Sequence, residues 1–300
     1  MKIVKHRLYW YLVSGLMIAA ALGVLMSFGL KQGIDFSGGT MLSVRFDQRP
    51  TSVDAEKALS ALNLDTIIIQ PAGDTDLNFR FKTIDEETHQ KMLETLKATF
   101  GNIVELQYNA IGPAVGEELR QKAVSSLVII FLLVLAFIAW SFRRVSAPVQ
   151  SWKYGAVVLF SAFHDVIIPV GLFALLGKIY NWEIGTPFIA AVLTIMGYSI
   201  NDTIVVLDRV RENLQKTSGT FEEIVERSVN QTIFRSFNTS MTTILALLAV
   251  YLFGGDSIKQ FALALIVGVA TGTYSSIFVM PSILVTWNSL TRKRAATKAG

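Results

Sequence analysis

Six apolar runs, each near the twenty or so residues a helix needs to cross a bilayer core, limit what this 300-residue chain can become. They are Leu8–Leu30, Ala123–Phe142, Tyr154–Gly177, Phe188–Leu207, Ser236–Phe253 and Gln260–Trp287. Lipid offers no hydrogen bonds to an open backbone, so each run is expected to be a helix that satisfies its own peptide groups. The last is long enough to tilt or to include an interfacial turn. Only 17% of the residues are charged and 52% are hydrophobic, which is too apolar for an ordinary soluble domain. Cysteine is absent, which excludes a disulfide framework, a cysteine zinc site and a thiol nucleophile. Lys2, Lys5 and Arg7 precede the first run, as in a signal peptide. The run is too long for that and no small-residue cleavage site follows, so it reads as an uncleaved anchor.

The basic residues orient the spans. Lys2, Lys5 and Arg7 precede span 1, and Arg143, Arg144 and Lys153 lie between spans 2 and 3. Arg209, Arg211, Lys216, Arg227 and Arg235 lie between spans 4 and 5, and Arg292, Lys293, Arg294 and Lys298 follow span 6. Six crossings put all four groups on one side, expected to be cytoplasmic, with both termini there. Four segments follow: 1–30 (amino terminus and span 1), 31–120 (an outer domain), 121–290 (spans 2–6) and 291–300 (a basic tail). The segment 31–120 carries net −5 while the rest carries +9, as expected for two compartments and not for nucleic-acid binding.

The outer segment reads as β-α-β-β-α-β, the order of a ferredoxin-like α+β unit. Gly39–Phe46 alternates like a strand, and Thr51–Leu62 begins with a Thr cap and has helical spacing. Thr66–Gln70 and Leu77–Lys82 read as strands around a PAGD turn, Ile84–Phe100 as an amphipathic helix and Ile103–Tyr108 as a last strand. His89 stands on a polar helix face and reads as a solvated surface residue. No metal spacing is present, so the domain reads as a binding or mechanical module. In GIDFSGGT, Gly33, Asp35, Gly38 and Gly39 read as the hinge between span 1 and this domain. A phosphate loop would need a strand before it and a helix after it, the reverse of the order here.

Away from helix ends, the spans hold two carboxylates, Asp165 in span 3 and Asp202 in span 4, with His164 beside the first. A charge at mid-bilayer costs about 2.5–3.5 kcal/mol on insertion scales, so such groups are usually internal and functional. The bland alternative is interhelical hydrogen bonding by a neutral side chain. Thr194, Tyr198 and Asn201 share a helical spacing next to Asp202, and Gly197 is small enough to admit another helix. Arg235, at the start of span 5, is long enough to meet Asp202. Ser236, Asn238, Thr239, Ser240 and Thr243 continue a polar seam behind it. Gly268, Gly272 and Ser276 form a small-residue track in span 6 that reads as helix packing.

These residues resemble those of the SecF family, the smaller membrane subunits of the bacterial SecD–SecF export machinery. The matching stretches are GIDFSGGT, FHDV (Phe163–Val166), GYSINDTIVVLDRVREN (Gly197–Asn213) and QTIFR (Gln231–Arg235), with YLFGG (Tyr251–Gly255) and GVATGTYSSIFV (Gly268–Val279). The resemblance implies a member of the resistance-nodulation-division superfamily in the bacterial plasma membrane. It further implies that six spans form half of a twelve-span unit completed by SecD. The pair would act with the SecYEG channel to pull preproteins outward at the expense of the proton gradient. Asp202 and Arg235 then fall on the family's proton-transport positions, and Asn201, Asp165 and His164 are candidate relay groups beside them. No enzymatic activity and no cofactor other than protons is expected.

Two other readings remain open. An intramembrane aspartyl protease would have two Asp residues on consecutive spans sharing a proton, but its GxGD pattern is missing, since Ser199, Ile200 and Asn201 precede Asp202. A small-molecule/proton antiporter of the same superfamily would usually carry larger outer domains, in both halves of one chain.

Overall fold

Every apolar run is helical, and the helices run on past the apolar stretches where capping residues allow. The computed structural model describes residues 2–62, 64, 67–141 and 151–299, with the backbone alone for residues 139, 151, 256, 257 and 292–299. Thr66, Arg143 and Arg144, and the side chains of Arg292, Lys293, Arg294 and Lys298, lie outside the described residues. Among the described residues, six helices are long and apolar enough to cross a membrane: Val4–Phe28, Pro113–Ile138, Trp152–Tyr180, Thr186–Lys216, Phe221–Phe253 and Ile258–Thr291. The chain is therefore a multi-pass membrane protein. It divides into two compact units, one built from the spans and the other from Gln32–Ser125 with Ile184–Thr186.

Span 1 is α1 (Arg7–Phe28), preceded by a 3-10 turn at Val4–His6. The second unit contains α2 (Ile34–Ser37), β1 (Gly39–Phe46), α3 (Ser52–Leu59), β2 (Ile68–Ala72), β3 (Asp76–Phe81), α4 (Glu86–Phe100) and β4 (Ile103–Ile111). Spans 2 to 5 are α5 (Pro113–Ser141), α6 (Ser151–Tyr180), α7 (Thr186–Lys216) and α8 (Phe221–Phe253). Span 6 is α9 (Asp256–Tyr274) and α10 (Met280–Ala299), joined through a π-helical turn at Ser275–Val279.

The sheet runs β2-β3-β1-β4, antiparallel throughout, as expected for the ferredoxin-like order. Alternation sends Leu42, Val44 and Phe46 of β1, and Leu77, Phe79 and Phe81 of β3, to the face that packs on Ala55, Leu59, Met92 and Leu96 of the two helices. Thr51 caps α3, its Oγ1 accepting from the Asp54 N–H at 3.1 Å. β2 lies two residues later than the sequence reading, so Pro71 falls in a strand and the turn moves to Gly73–Thr75. β2 is an edge strand, where a residue without an N–H is tolerated.

His89 is not the solvated residue its sequence context suggests. It is 4% exposed and stacks on Tyr108 with ring centroids 3.8 Å apart. Its Nδ1 lies 3.2 Å from Glu86 and its Nε2 3.4 Å from Glu105. The reason is helical spacing: His89, Met92 and Leu96 share the buried face of α4.

The segment 33–39 is a packed joint. Gly38 and Gly39 have φ of +69° and +126°, a region that side chains disfavour. A Cβ on Gly38 would lie 2.9 Å from Pro113 Cα, and one on Gly39 2.9 Å from the Phe81 carbonyl oxygen. Asp35 Oδ2 accepts from the Thr186 N–H at 2.7 Å and from its Oγ1 at 2.8 Å, capping the first residue of α7.

In the spanning unit, α7 and α8 extend beyond their apolar runs and meet in a tight turn. Thr220 and Glu223 form a reciprocal capping box at the start of α8, a TFEE signal readable in the sequence. The amino terminus docks on that helix. The Ile3 and Val4 N–H groups donate to the Glu226 carboxylate at 2.5 and 2.8 Å, and Arg7 pairs with Glu222 at 3.3 Å.

Replacing Gly38 with alanine should destabilise the α+β unit by about 1–3 kcal/mol, the usual cost of a strained backbone position. Amide exchange in β1 and β4 of the full chain should quicken accordingly. A second test concerns acid. Arg45 pairs across strands with Asp76 at 2.8 Å, and that hydrogen bond holds the Asp76 carboxyl below its ordinary range. A depressed carboxyl contributes its full stability above the unfolded value of about 3.9 and loses it as the pH falls towards the folded value. The protection factors of β3 amides, exchange corrected for its intrinsic pH dependence, should therefore fall below about pH 4, and Asp76→Asn should abolish that step.

Candidate functional site

Two carboxylates buried among helices need donors, and the spans provide them as hydroxyls. Asp202, on α7, is 8% exposed. Its Oδ1 accepts from Ser236 Oγ of α8 at 2.6 Å, and its Oδ2 accepts from Ser276 Oγ of span 6. Asp165, on α6, is fully buried. Its Oδ1 lies 2.7 Å from His164 Nδ1, and its Oδ2 accepts from Ser275 Oγ at 2.6 Å and from Ser199 Oγ of α7. Ser161 of α6 touches Ser275 at 2.9 Å, and Thr271 Oγ1 leans on the Asp165 carbonyl at 3.4 Å. Each carboxylate thus joins its own helix to two others. His164 Nε2 is buried and has no hydrogen-bond partner among the described residues.

Local structure explains how span 6 serves both sites. Consecutive side chains on a regular α-helix diverge by about 100°. Ser275 and Ser276 open the π-helical turn, and each reaches a carboxylate on a different helix. Glycines upstream bring the helices close enough. A Cβ on Gly268 would fall 2.3 Å from Ile195 Cδ1 of α7, and one on Gly272 3.3 Å from Ser199 Cβ. The packing expected of Gly268 and Gly272 is present. Ser276, read from sequence as part of the same track, is instead a ligand of Asp202. The π turn leaves no sequence mark beyond paired serines after GTY.

Three expectations for span 4 and its neighbour differ from the structure. Among the described residues no ion pair joins Arg235 to Asp202. Ser236 faces the carboxylate, and its neighbour Arg235 is consequently turned to the exposed side of α8. Asn201 is likewise turned outward by its adjacency to Asp202, and shares an exposed face with Thr194. Gly197 meets no other helix among the described residues, where nothing lies within 4 Å of a Cβ built there. Tyr198 belongs to a separate contact, its hydroxyl donating to Ser240 at 3.1 Å. Among the described residues no group of three or more His, Asp or Glu is placed to hold a metal ion.

Chemically, the arrangement keeps two carboxylates in reach of reversible donors and out of reach of each other's hydrogen bonds. An aspartyl-protease dyad would share a proton between its carboxyls, whereas here each acid has its own serines.

The protein-family model described as "Protein export membrane protein SecD/SecF, C-terminal" matches residues 91–290, and the "SecD/SecF GG Motif" matches residues 23–48. The "Protein translocase subunit SecF" of Thermobaculum terrenum is 41% identical over 96% of this chain and 94% of its own length. The "Protein translocase subunit SecDF" of Thermus thermophilus is 36% identical over 95% of this chain, which corresponds to 38% of that longer protein. The crystal structure of SecDF from the same genus, titled a translocon-associated membrane protein, superposes with a TM-score of 0.84 at 34% identity. It covers 96% of this chain and 39% of that one. The first matched stretch holds every side chain of both carboxylate clusters and the second holds Gly38 and Gly39, so the chain belongs to the SecD/SecF family of protein export membrane proteins.

Proposed function

We propose that the chain is a proton-driven accessory subunit of protein export, and that Asp202 is the group that gains and loses the proton. It sits in the bacterial plasma membrane with both termini in the cytoplasm, as the distribution of Lys and Arg supports. SecD is its partner, which the single-chain SecDF relative supports, because this chain matches little more than a third of it. The pair acts beside the SecYEG channel on emerging preproteins. It carries out no covalent chemistry and uses no cofactor except protons as the coupling ion. The translocase names of the relatives support the export reading and give none to the protease or antiporter alternatives.

One observation carries the mechanism: Asp202 is buried, and its ligands come from two other helices and are hydroxyls, not a cation in contact. An ionised Asp202 draws hydrogen bonds from Ser236 and Ser276. A protonated one donates one itself and no longer holds both serines in the same way. The preferred packing of α7 against α8 and span 6 therefore depends on the proton, which is the two-state element a transporter needs. A proton crossing 100 mV brings about 2.3 kcal/mol, enough to reverse a preference of that order. Arg235 lies on the exposed side of α8, next to Ser236. Asp165 and His164 are candidate relay groups on the neighbouring span.

Asp202→Asn keeps the size and imitates the protonated acid, with one accepting and one donating end, but cannot release a proton. In liposomes holding the chain with SecD, it should reduce proton flux to the level of empty vesicles and abolish the proton-dependent part of export, with assembly unaffected. Export that still follows the proton gradient in this variant would exclude Asp202 as the coupling group.

A further inference from the structure

A serine hydroxyl has one proton to donate, and Ser275 and Ser276 each have a carboxylate and a backbone carbonyl within reach, Ser275 with Ser161 Oγ besides at 2.9 Å. Ser276 Oγ contacts Asp202 Oδ2 and lies 3.1 Å from the Thr273 carbonyl. Ser275 Oγ lies 2.6 Å from Asp165 Oδ2 and 3.1 Å from the Gly272 carbonyl. In both cases one acceptor is a carboxylate on a different helix, and the other is the backbone carbonyl three residues back on the serine's own helix. Such back-bonding to the preceding turn is ordinary for helical hydroxyls, and here it falls where the helix passes from α to π geometry. The Ser275 N–H is shared between Gly272 O and Thr271 O, and the Met280 N–H reaches back to Ser275 O. Such turns inside helices are frequent at functional sites.

We propose that Ser275 and Ser276 form a paired hydroxyl toggle that links the protonation of Asp165 to that of Asp202. While Asp202 is ionised, Ser276 donates to it. When a proton binds Oδ2, the direction reverses: Oδ2–H donates to Ser276 Oγ, and the Ser276 proton turns to the Thr273 carbonyl. Asp165, Ser275 and the Gly272 carbonyl form a similar trio one residue earlier, with Ser199 a second donor to the same Asp165 oxygen. Each event adds one proton to a carboxyl and reorients the hydroxyls that donated to that oxygen, one at Asp202 and two at Asp165, and no covalent bond other than the new O–H is made or broken. The serines are consecutive on one short turn, so the backbone setting favoured by one hydroxyl changes the reach of the other. The two acids, which share no hydrogen bond, thereby titrate as a linked pair.

Few other titratable groups face them. Asp165 has His164 on its own helix, whose ring lies 6.0 Å from that of Tyr274, and Tyr274 in turn meets Ser14 of α1 at 3.2 Å. From α7 it receives only the neutral Ser199. Asp202 receives Ser236 from α8, whose neighbour Arg235 is turned to the exposed side. The toggle rests on the reading of Asp202 as the coupling group and extends it to Asp165, with both serines as positioning residues.

The test uses the full chain reconstituted with SecD in liposomes. Infrared difference spectra against pH read the protonated-carboxyl bands, assigned with Asp165→Asn and Asp202→Asn. Ser275→Ala removes a donor to Asp165 only, yet it should move the Asp202 midpoint by roughly half to one pH unit, the scale of one net hydrogen bond. Ser276→Ala should move the Asp165 midpoint in the same way, and Ser275→Thr, which keeps the hydroxyl, should restore the wild-type value. If Ser275→Ala fails to assemble, Ser275→Cys, a weak donor of similar size, gives the same readout. If each variant shifts only the acid it touches, the toggle is overturned while the role of Asp202 stands. If Asp202 shows no titrating band in the wild-type chain, the coupling role of Asp202 fails, and the toggle with it.

Discussion

A carboxylate removed from water must be solvated by its own protein, and that requirement organises the spanning unit. Asp165 and Asp202 sit on neighbouring helices, and neither finds its donors there alone. Asp202 calls on α8 and span 6; Asp165 calls on α7 and span 6. Four spans must therefore cross at matching depths. Gly268 and Gly272 make this possible by removing the side chains that would hold span 6 away from α7. Hydroxyls suit the task because they can donate or accept, whereas an arginine in contact would fix the acid in its ionised form.

The α+β unit depends on a different constraint, close backbone approach. Its inward face is an ordinary alternating core, but its entrance is defined by two positive-φ glycines packed against Pro113 and Phe81. Asp35 spends its charge on the first residue of α7, where the unpaired N–H groups of a helix start favour an anion. Much of the form of GIDFSGGT is thus explained by geometry: Cβ atoms at Gly38 and Gly39 would collide with backbone, and Asp35 serves as the cap.

Much of this could be read from the sequence, and the limits have physical causes. The six spans were legible because lipid demands a length and a composition. The α+β order was legible because periods of two and 3.6 alternate between turn residues. Asp165 and Asp202 stood out because charge is costly in an apolar run. Their partners were harder to read. Ser236 belonged to a visible polar seam, but Arg235 beside it drew the eye as the obvious counter-charge, and only the rotation of α8 decides which of the two faces inward. Ser276 passed for packing because a small residue and a hydroxyl ligand look alike until the facing helix is known. The π turn is a tertiary outcome with no periodic signature. His89 was readable after all, from its spacing to Met92 and Leu96, but its polarity hid the pattern.

The docking of the amino terminus on α8 also has a mechanical meaning. Glu226, which grips the Ile3 and Val4 N–H groups, and Ser236, which grips Asp202, are ten residues apart on one continuous rod, or about 15 Å at helical rise. A stiff helix rotates as a piece. Any pivot of α8 at the acid end sweeps the anchored tip of span 1 along with it, so a fluorophore or tether attached just ahead of Ile3 would ride on the moving arm and register its swing.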